Sequence, residues 1–159
     1  MPRFSIQEFA QARDLMAIKV FIADDHPVAR SGIKAILASR RDIEVCGEAS
    51  NGAEALEGVV KHHPQIAILD VNMPIMTGFT VAETIAMMNL DTHVLLYTMY
   101  YSEHLLREAR RVGVHGYVSK TNAAKELLQA IDTLVRGQTY FCDEGAKTRQ
   151  NAGRRPLVL

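Results

Sequence analysis

The sequence predicts an α/β fold, a doubly wound parallel sheet of five strands with five helices. Three observations predict it. Short β-branched runs alternate with amphipathic stretches from Ile18 to Arg136. The connections between them are brief, which implies parallel strands joined by right-handed crossovers. The inner runs Ile66–Leu69 and Val94–Tyr97 are continuously apolar, as strands buried on both faces are.

Each element follows from its residues. Ile18–Ala23 is short and β-branched, a strand. The polar stop Asp24-Asp25-His26 follows, and Pro27 suits the first position of a helix over 27–39, with Val28, Ile33, Ile36 and Leu37 at near-helical spacing. Ile43–Ala49 reads as the second strand and Asn51-Gly52 as a turn. Ala53–His62 is a helix with Ala55, Leu56, Val59 and Val60 inward, ended by Pro64. Ile66–Leu69 is the third strand, 71–78 a loop, and Thr80–Leu90 a helix. Val94–Tyr97 is the fourth strand, and Glu103–Val112 a helix closed by Gly113. Gly116–Ser119 is the fifth strand. Ala123–Arg136 is an amphipathic helix with Leu127, Leu128, Ile131, Leu134 and Val135 inside, ended by Gly137.

At 159 residues the chain holds about one domain with a small surplus. Hydrophobic residues at 48% and charged residues at 23% exclude wholesale disorder. The formal net charge is zero, which excludes a strongly basic nucleic-acid-binding chain. The charge is uneven, however: residues 18–139 carry −2, and residues 140–159 carry +2. No apolar run approaches the roughly 18 residues of a membrane span, and no uninterrupted apolar signal core opens the chain. A cytoplasmic location with no membrane partner is therefore expected. Cys46 and Cys142 make no metal spacing and read as idle thiols.

In open parallel sheets, ligands bind beyond the carboxyl ends of the strands. The residues there are Asp24 and Asp25, Asp70, Thr98 and Lys120. Three gathered carboxylates repel one another, and a hard divalent cation such as Mg²⁺ relieves that repulsion. Lys120 offers a positive charge and Thr98 a hydroxyl to phosphoryl oxygens, and Asp70 can form an acyl phosphate.

The motifs Asp24-Asp25, Asp70-Val71-Asn72-Met73-Pro74 with Gly78, Thr98, and Tyr117-Val118-Ser119-Lys120 resemble the receiver domain of a bacterial two-component response regulator over residues 18–139. Asp24 to Gly32 is similar to the NarL/FixJ group, whose members carry a LuxR-type helix-turn-helix output. The resemblance implies a flavodoxin-like fold with strand order 2-1-3-4-5. It implies that Asp70 accepts a phosphoryl group from a sensor histidine kinase. Asp25, Asp70 and the backbone carbonyl of Asn72 would ligate Mg²⁺, with Asp24 acting through a bound water. Lys120 would pair with Asp70 and later hold the phosphoryl group. Thr98 would move toward the phosphoryl oxygen, and Tyr117 would turn inward. The expected role is a signalling domain rather than an enzyme, with self-phosphorylation from small donors and slow autodephosphorylation only. Homodimerisation on phosphorylation is expected, through the face of the fourth helix, fifth strand and fifth helix or through the first and fifth helices. Residues 140–159 are expected to lead to a DNA-binding output that the sequence does not contain, and residues 1–17 form an extension or leader.

Other readings are weaker. An Mg²⁺-dependent aspartyl phosphatase typically has Asp-x-Asp, but Asn72 stands at the second position. A flavin carrier would need a hydroxyl- or glycine-rich phosphate loop where Asp24-Asp25-His26-Pro27 stands. A stand-alone receiver acting by protein–protein contact remains open. Two departures stand out within the resemblance. Thr121 follows Lys120 where many receivers have proline, so a trans peptide is expected. Tyr100, two residues past Thr98, is expected to hinder water. His26 reads as a helix start and the remaining histidines as surface residues. Met73, Met76, Met87, Met88 and Met99 read as packing, and Arg154-Arg155 as a solvated linker.

Overall fold

The computed structural model describes residues 5–8, 11 and 16–141. Its strands are β1 (Ile18–Ala23), β2 (Ile43–Ala49), β3 (Ile66–Leu69), β4 (His93–Thr98), β5 (Gly116–Ser119) and β6 (Tyr140–Phe141). The helices are α1 (Pro27–Leu37), α2 (Gly52–His62), α3 (Gly78–Met87), α4 (Glu103–Arg111) and α5 (Ala123–Val135), with a 3₁₀ turn over Lys120–Asn122. All strands are parallel, in the order β2-β1-β3-β4-β5-β6. The expected order 2-1-3-4-5 is present, with a sixth strand added at one edge.

Alternation along the strands sorts the core into two layers. Phe21, Ala23, Ala67, Leu69 and Leu96 face α2, α3 and α4. Val20, Ile22, Ile66, Ile68 and Leu95 face α1 and α5, where Ile33, Leu37, Leu127, Ile131 and Leu134 close over them. Side chains that alternate across a strand bury both faces only when helices cover both. Asn51, read as part of a turn, caps α2 by accepting from Glu54 N at 2.9 Å, and Thr77 and Ser102 cap α3 and α4 in the same way. The β1–β2 register skips Cys46, placing Gly47 opposite Phe21. A side chain at Gly47 would strike the Phe21 ring.

Several expectations need correction. Residues 140 and 141 are not linker: Tyr140 pairs with Gly116 and Phe141 with Tyr117. A two-residue strand carries no periodicity, so sequence pattern alone cannot reveal it. Val28, used above for its helical spacing, is 84% exposed in the first turn of α1. Val60 and Val135 also reach solvent, at the flanks of their helices. Met87, Met88 and Met99 are exposed rather than packed. His115 is not a free surface residue: its Nδ1 accepts the Val94 N–H at 3.0 Å, and its ring meets His93 edge-on at 4.7 Å. Burial, and next to it His93, holds its pKa below the ordinary histidine value. Cys142, Arg154-Arg155 and most of residues 1–17 lie outside the described residues.

Candidate phosphoryl and cation site

The sheet order reverses direction between β1 and β3, so their carboxyl ends splay into a crevice. Asp70 follows β3 directly, and its N–H donates to Ala23 O at 2.9 Å. Asp24 follows β1, and its N–H donates to Ala49 O at 3.1 Å. Backbone pairing therefore fixes both carboxylates at the head of the crevice. Gly78, at the start of α3, lies over the Asp70 carbonyl, where a Cβ would collide with it. The cleft that Asp25, Asp70, Asn72, Thr98, Tyr100 and Lys120 line has a volume of about 530 Å³.

Asp24, Asp70 and Thr98 are buried, and Asp25 is half-exposed at the mouth. Lys120 Nζ lies between two acids, donating to Asp24 Oδ2 at 2.5 Å and standing 3.5 Å from Asp70 Oδ2. The expected Lys120–Asp70 pair is thus shared, with Asp24 the nearer partner. Burial drives the Asp70 carboxyl above the usual carboxylate range; Lys120 opposes this and Asp24 adds to it. Oxygen or nitrogen atoms of Asp24, Asp25, His26 and Asp70 all lie within 4.8 Å of one another. Asp25 Oδ1 is shut off from solvent and accepts no hydrogen bond. A closed carboxylate oxygen that accepts no hydrogen bond among the described residues and stands beside two other acids fits a cation.

Thr98 Oγ1 accepts the Tyr100 N–H at 3.3 Å. Tyr117 is fully buried, and its hydroxyl donates to the carbonyl of Tyr100. Its ring meets Tyr101 edge-on at 6.2 Å, and burial pushes its phenol up to about 12. Tyr117 thus lies inward in the unmodified chain. The Lys120–Thr121 peptide is trans, as Thr121 led us to expect.

Sequence reasoning brought together Asp24, Asp25, Asp70, Thr98 and Lys120, and the fold does so. It passed over Arg30, and it weighed a metal-ligand role for His26 but preferred a helix start. Arg30 Nη1 donates to the Asp24 carbonyl at 2.7 Å and clamps the β1–α1 turn from inside. His26 starts α1 as expected, yet its Nδ1 also lies 2.9 Å from Asp25 Oδ1. The only available signal was position: Arg30 stands six residues past Asp24, and His26 adjoins the acidic pair.

Fold and site define a class, a small doubly wound α/β domain whose chemistry sits on acidic strand ends rather than on a glycine-rich phosphate loop. The model of the response regulator receiver domain matches residues 20–132, and the chain belongs to that family. Among curated relatives, the oxygen regulatory protein NreC of Staphylococcus carnosus is 38% identical over 125 residues, 78% of this chain and 58% of its own length. The chain thus spans under two thirds of such relatives. Among solved structures, the receiver domain of the putative response regulator NarL from Mycobacterium tuberculosis is 33% identical with a TM-score of 0.74, covering 77% of this chain and 98% of that one. A LuxR-family DNA-binding response regulator from Staphylococcus aureus is 27% identical with a TM-score of 0.69, covering 72% and 96%. These relatives agree with the NarL/FixJ resemblance. No helix among the described residues is long and apolar enough to cross a membrane.

Proposed function

We propose that Asp70 is the phosphoacceptor of this receiver, charged by a sensor histidine kinase in the cytoplasm. The carrying observation is the buried Asp70 carboxylate 3.5 Å from Lys120 Nζ, in a cleft that Thr98 also lines. In the transfer, one Asp70 oxygen attacks phosphorus, the phosphorus–nitrogen bond of phosphohistidine breaks, and the imidazole leaves with the electron pair. Mg²⁺ held by Asp25, Asp70 and the Asn72 carbonyl, with Asp24 through water, would neutralise the charge that gathers on the phosphoryl oxygens. Lys120 transfers its ammonium from the acids to one phosphoryl oxygen. Thr98 releases the Tyr100 N–H and donates its hydroxyl to another.

That movement reaches Tyr117 directly, because the Tyr117 hydroxyl holds the Tyr100 carbonyl. A local charge change thereby biases the segment joining β4 to α4. Exposed Tyr100 lines the cleft and slows access of water to the acyl phosphate. The switch controls homodimerisation and a DNA-binding output beyond this chain, as the name of the S. aureus relative suggests.

Incubation with Mg²⁺ and acetyl phosphate or phosphoramidate, followed by intact-mass measurement, tests the reading. One phosphoryl adduct is expected, absent in Asp70→Asn. No adduct with any donor, or an adduct that survives Asp70→Asn, rejects it.

A further inference from the structure

His26 stands where nothing in the phosphoacceptor reading requires an imidazole. It is the residue before α1, with its backbone fixed at φ −96° and ψ 113°. Its N–H donates to Asp24 Oδ1 at 2.9 Å, which anchors the residue on the acidic pair. The ring then turns back toward the same acids rather than out along the helix. Nδ1 makes a hydrogen bond of 3.3 Å with Asp24 Oδ1, which places the proton on Nδ1, and lies 2.9 Å from Asp25 Oδ1. A cation bound by Nδ1 would take the place of that proton, the neutral ring keeping its hydrogen on Nε2.

The two oxygens of Asp24 are divided between partners. Lys120 takes Oδ2, and Oδ1 faces His26. Asp25 Oδ1 is closed to solvent and accepts no hydrogen bond, although the imidazole nitrogen is 2.9 Å away. The approach has the separation of a polar contact without the geometry of a hydrogen bond. Two donors sharing one octahedral cation show that arrangement. With bonds of 2.0–2.1 Å, adjacent donors of an octahedron lie about 2.9 Å apart.

We propose that His26 Nδ1 is an additional donor to the cation of this site, which turns an all-oxygen site into a mixed nitrogen–oxygen one. This rests on the cation-site reading above and adds a consequence to it. Imidazole suits borderline divalent metals, whereas Mg²⁺ keeps to oxygen and water. His26 therefore sets selectivity: it favours Mn²⁺ and Co²⁺ over Mg²⁺ relative to the same site without it. The ring is 71% exposed at the mouth of the cleft, so it can be replaced without disturbing the core.

The experiment uses the chain loaded with Mn²⁺ alone. Electron spin-echo modulation reads nitrogen bound directly to the metal, and calorimetric titration gives affinities for Mg²⁺, Mn²⁺ and Co²⁺. We expect ¹⁴N modulation in the unsubstituted chain and none in His26→Asn. The Co²⁺/Mg²⁺ affinity ratio should fall in the variant by at least about tenfold, the lower end of what loss of an outer partner costs a metal site. Asp25→Asn should abolish binding at this site. Mn²⁺ binding that needs Asp25 but shows no ¹⁴N modulation overturns the role of His26 and leaves the cation site standing. An unchanged affinity ratio in His26→Asn overturns it as well. Mn²⁺ binding indifferent to Asp25→Asn overturns both.

Discussion

Replacing Lys120 by Met tests how the acidic crevice survives without a cation. The substitution keeps the length of the side chain and removes only the ammonium. That ammonium is 2.5 Å from Asp24 and 3.5 Å from Asp70, and the three side chains are 12%, 1% and 7% exposed. Without it, two carboxylates whose oxygens lie within 4.8 Å face each other unshielded. At an effective dielectric constant of 20 their repulsion is about 3.5 kcal/mol. Removing one partner of a buried ion pair costs about 3–5 kcal/mol, which agrees. For a chain of this size, each kcal/mol shifts the melting temperature by about 2–4 °C, so a fall of about 6–20 °C is expected at pH 7. Two further readouts separate charge from packing. Mg²⁺ should stabilise the variant more than the unsubstituted chain, because it replaces the lost positive charge. Acid should narrow the difference. Burial already raises the folded-state pKa of Asp70, and losing the amine raises it further. A raised carboxyl contributes stability that is present below its unfolded value and lost as pH climbs through the folded one. The deficit is therefore largest at neutral pH and shrinks toward pH 4. Thermal melts by circular dichroism at both pH values, with and without Mg²⁺, measure all of this. A deficit that ignores both acid and Mg²⁺ would refute the electrostatic account.

Three other substitutions probe separate parts of the fold. Asp70→Asn removes a buried charge that the fold disfavours, so at pH 7 it should raise stability by on the order of 1 kcal/mol, much of the Asp24 repulsion being offset by Lys120. That gain should vanish below the ordinary carboxylate range, where Asp70 is protonated in any case; a gain independent of pH would contradict the sign. Ile75 holds φ 72° in the loop after β3 with its side chain 78% exposed. A β-branched residue there stores about 1–3 kcal/mol of strain, so Ile75→Gly should stabilise the chain by about 1 kcal/mol in urea titration despite the flexibility of glycine. Phe141 carries Arg110 over its ring at 4.1 Å and packs on the α4 side of the core. Phe141→Ala should cost about 1–2 kcal/mol and Arg110→Ala about 0.5–1 kcal/mol. A double-mutant cycle showing no coupling between them would remove the stacking from the account.

The sheet was legible because its inner strands are short, apolar and bounded by polar stops. β1, β2, β3 and β5 fall where the β-branched runs lie, and the site residues lie at their ends because a buried parallel strand can release polar side chains only there. Helix ends were less legible. α1 and α3 differ from expectation by two or three residues at their termini, where caps such as Thr77 outweigh periodicity. An apolar residue near a helix end also misled: Met87 has a hydrophobic side chain but sits past the part of the helix that meets the sheet. β6 was invisible because its two residues draw their stability from tertiary partners, Arg110 and the edge of β5. The position of His26 was legible and its orientation was not, since ring direction depends on how the β1–α1 turn hydrogen-bonds to Asp24.

If Asp70 is the phosphoacceptor, as proposed, the crevice gives this domain a physical basis for switching. Asp24 and Asp70 are buried together at a cost, and Lys120 balances them through one ammonium. Such a balance has more than one solution. With the carboxylates unmodified, the ammonium is shared between them. On the proposed reading, a phosphoryl group on Asp70 would move negative charge outward from the carboxylate, and the lowest-energy position of the ammonium would move with it. Thr98 could follow, because among the described residues its hydroxyl is engaged by one 3.3 Å bond, from Tyr100 N. Tyr100 in turn is tied through its carbonyl to Tyr117, which is paired across β5 with Phe141. Each link is a single polar contact or ladder pair, weak enough to exchange partners and specific enough to carry direction. An apolar crevice of the same shape would be more stable and would have nothing to redistribute when phosphate arrived.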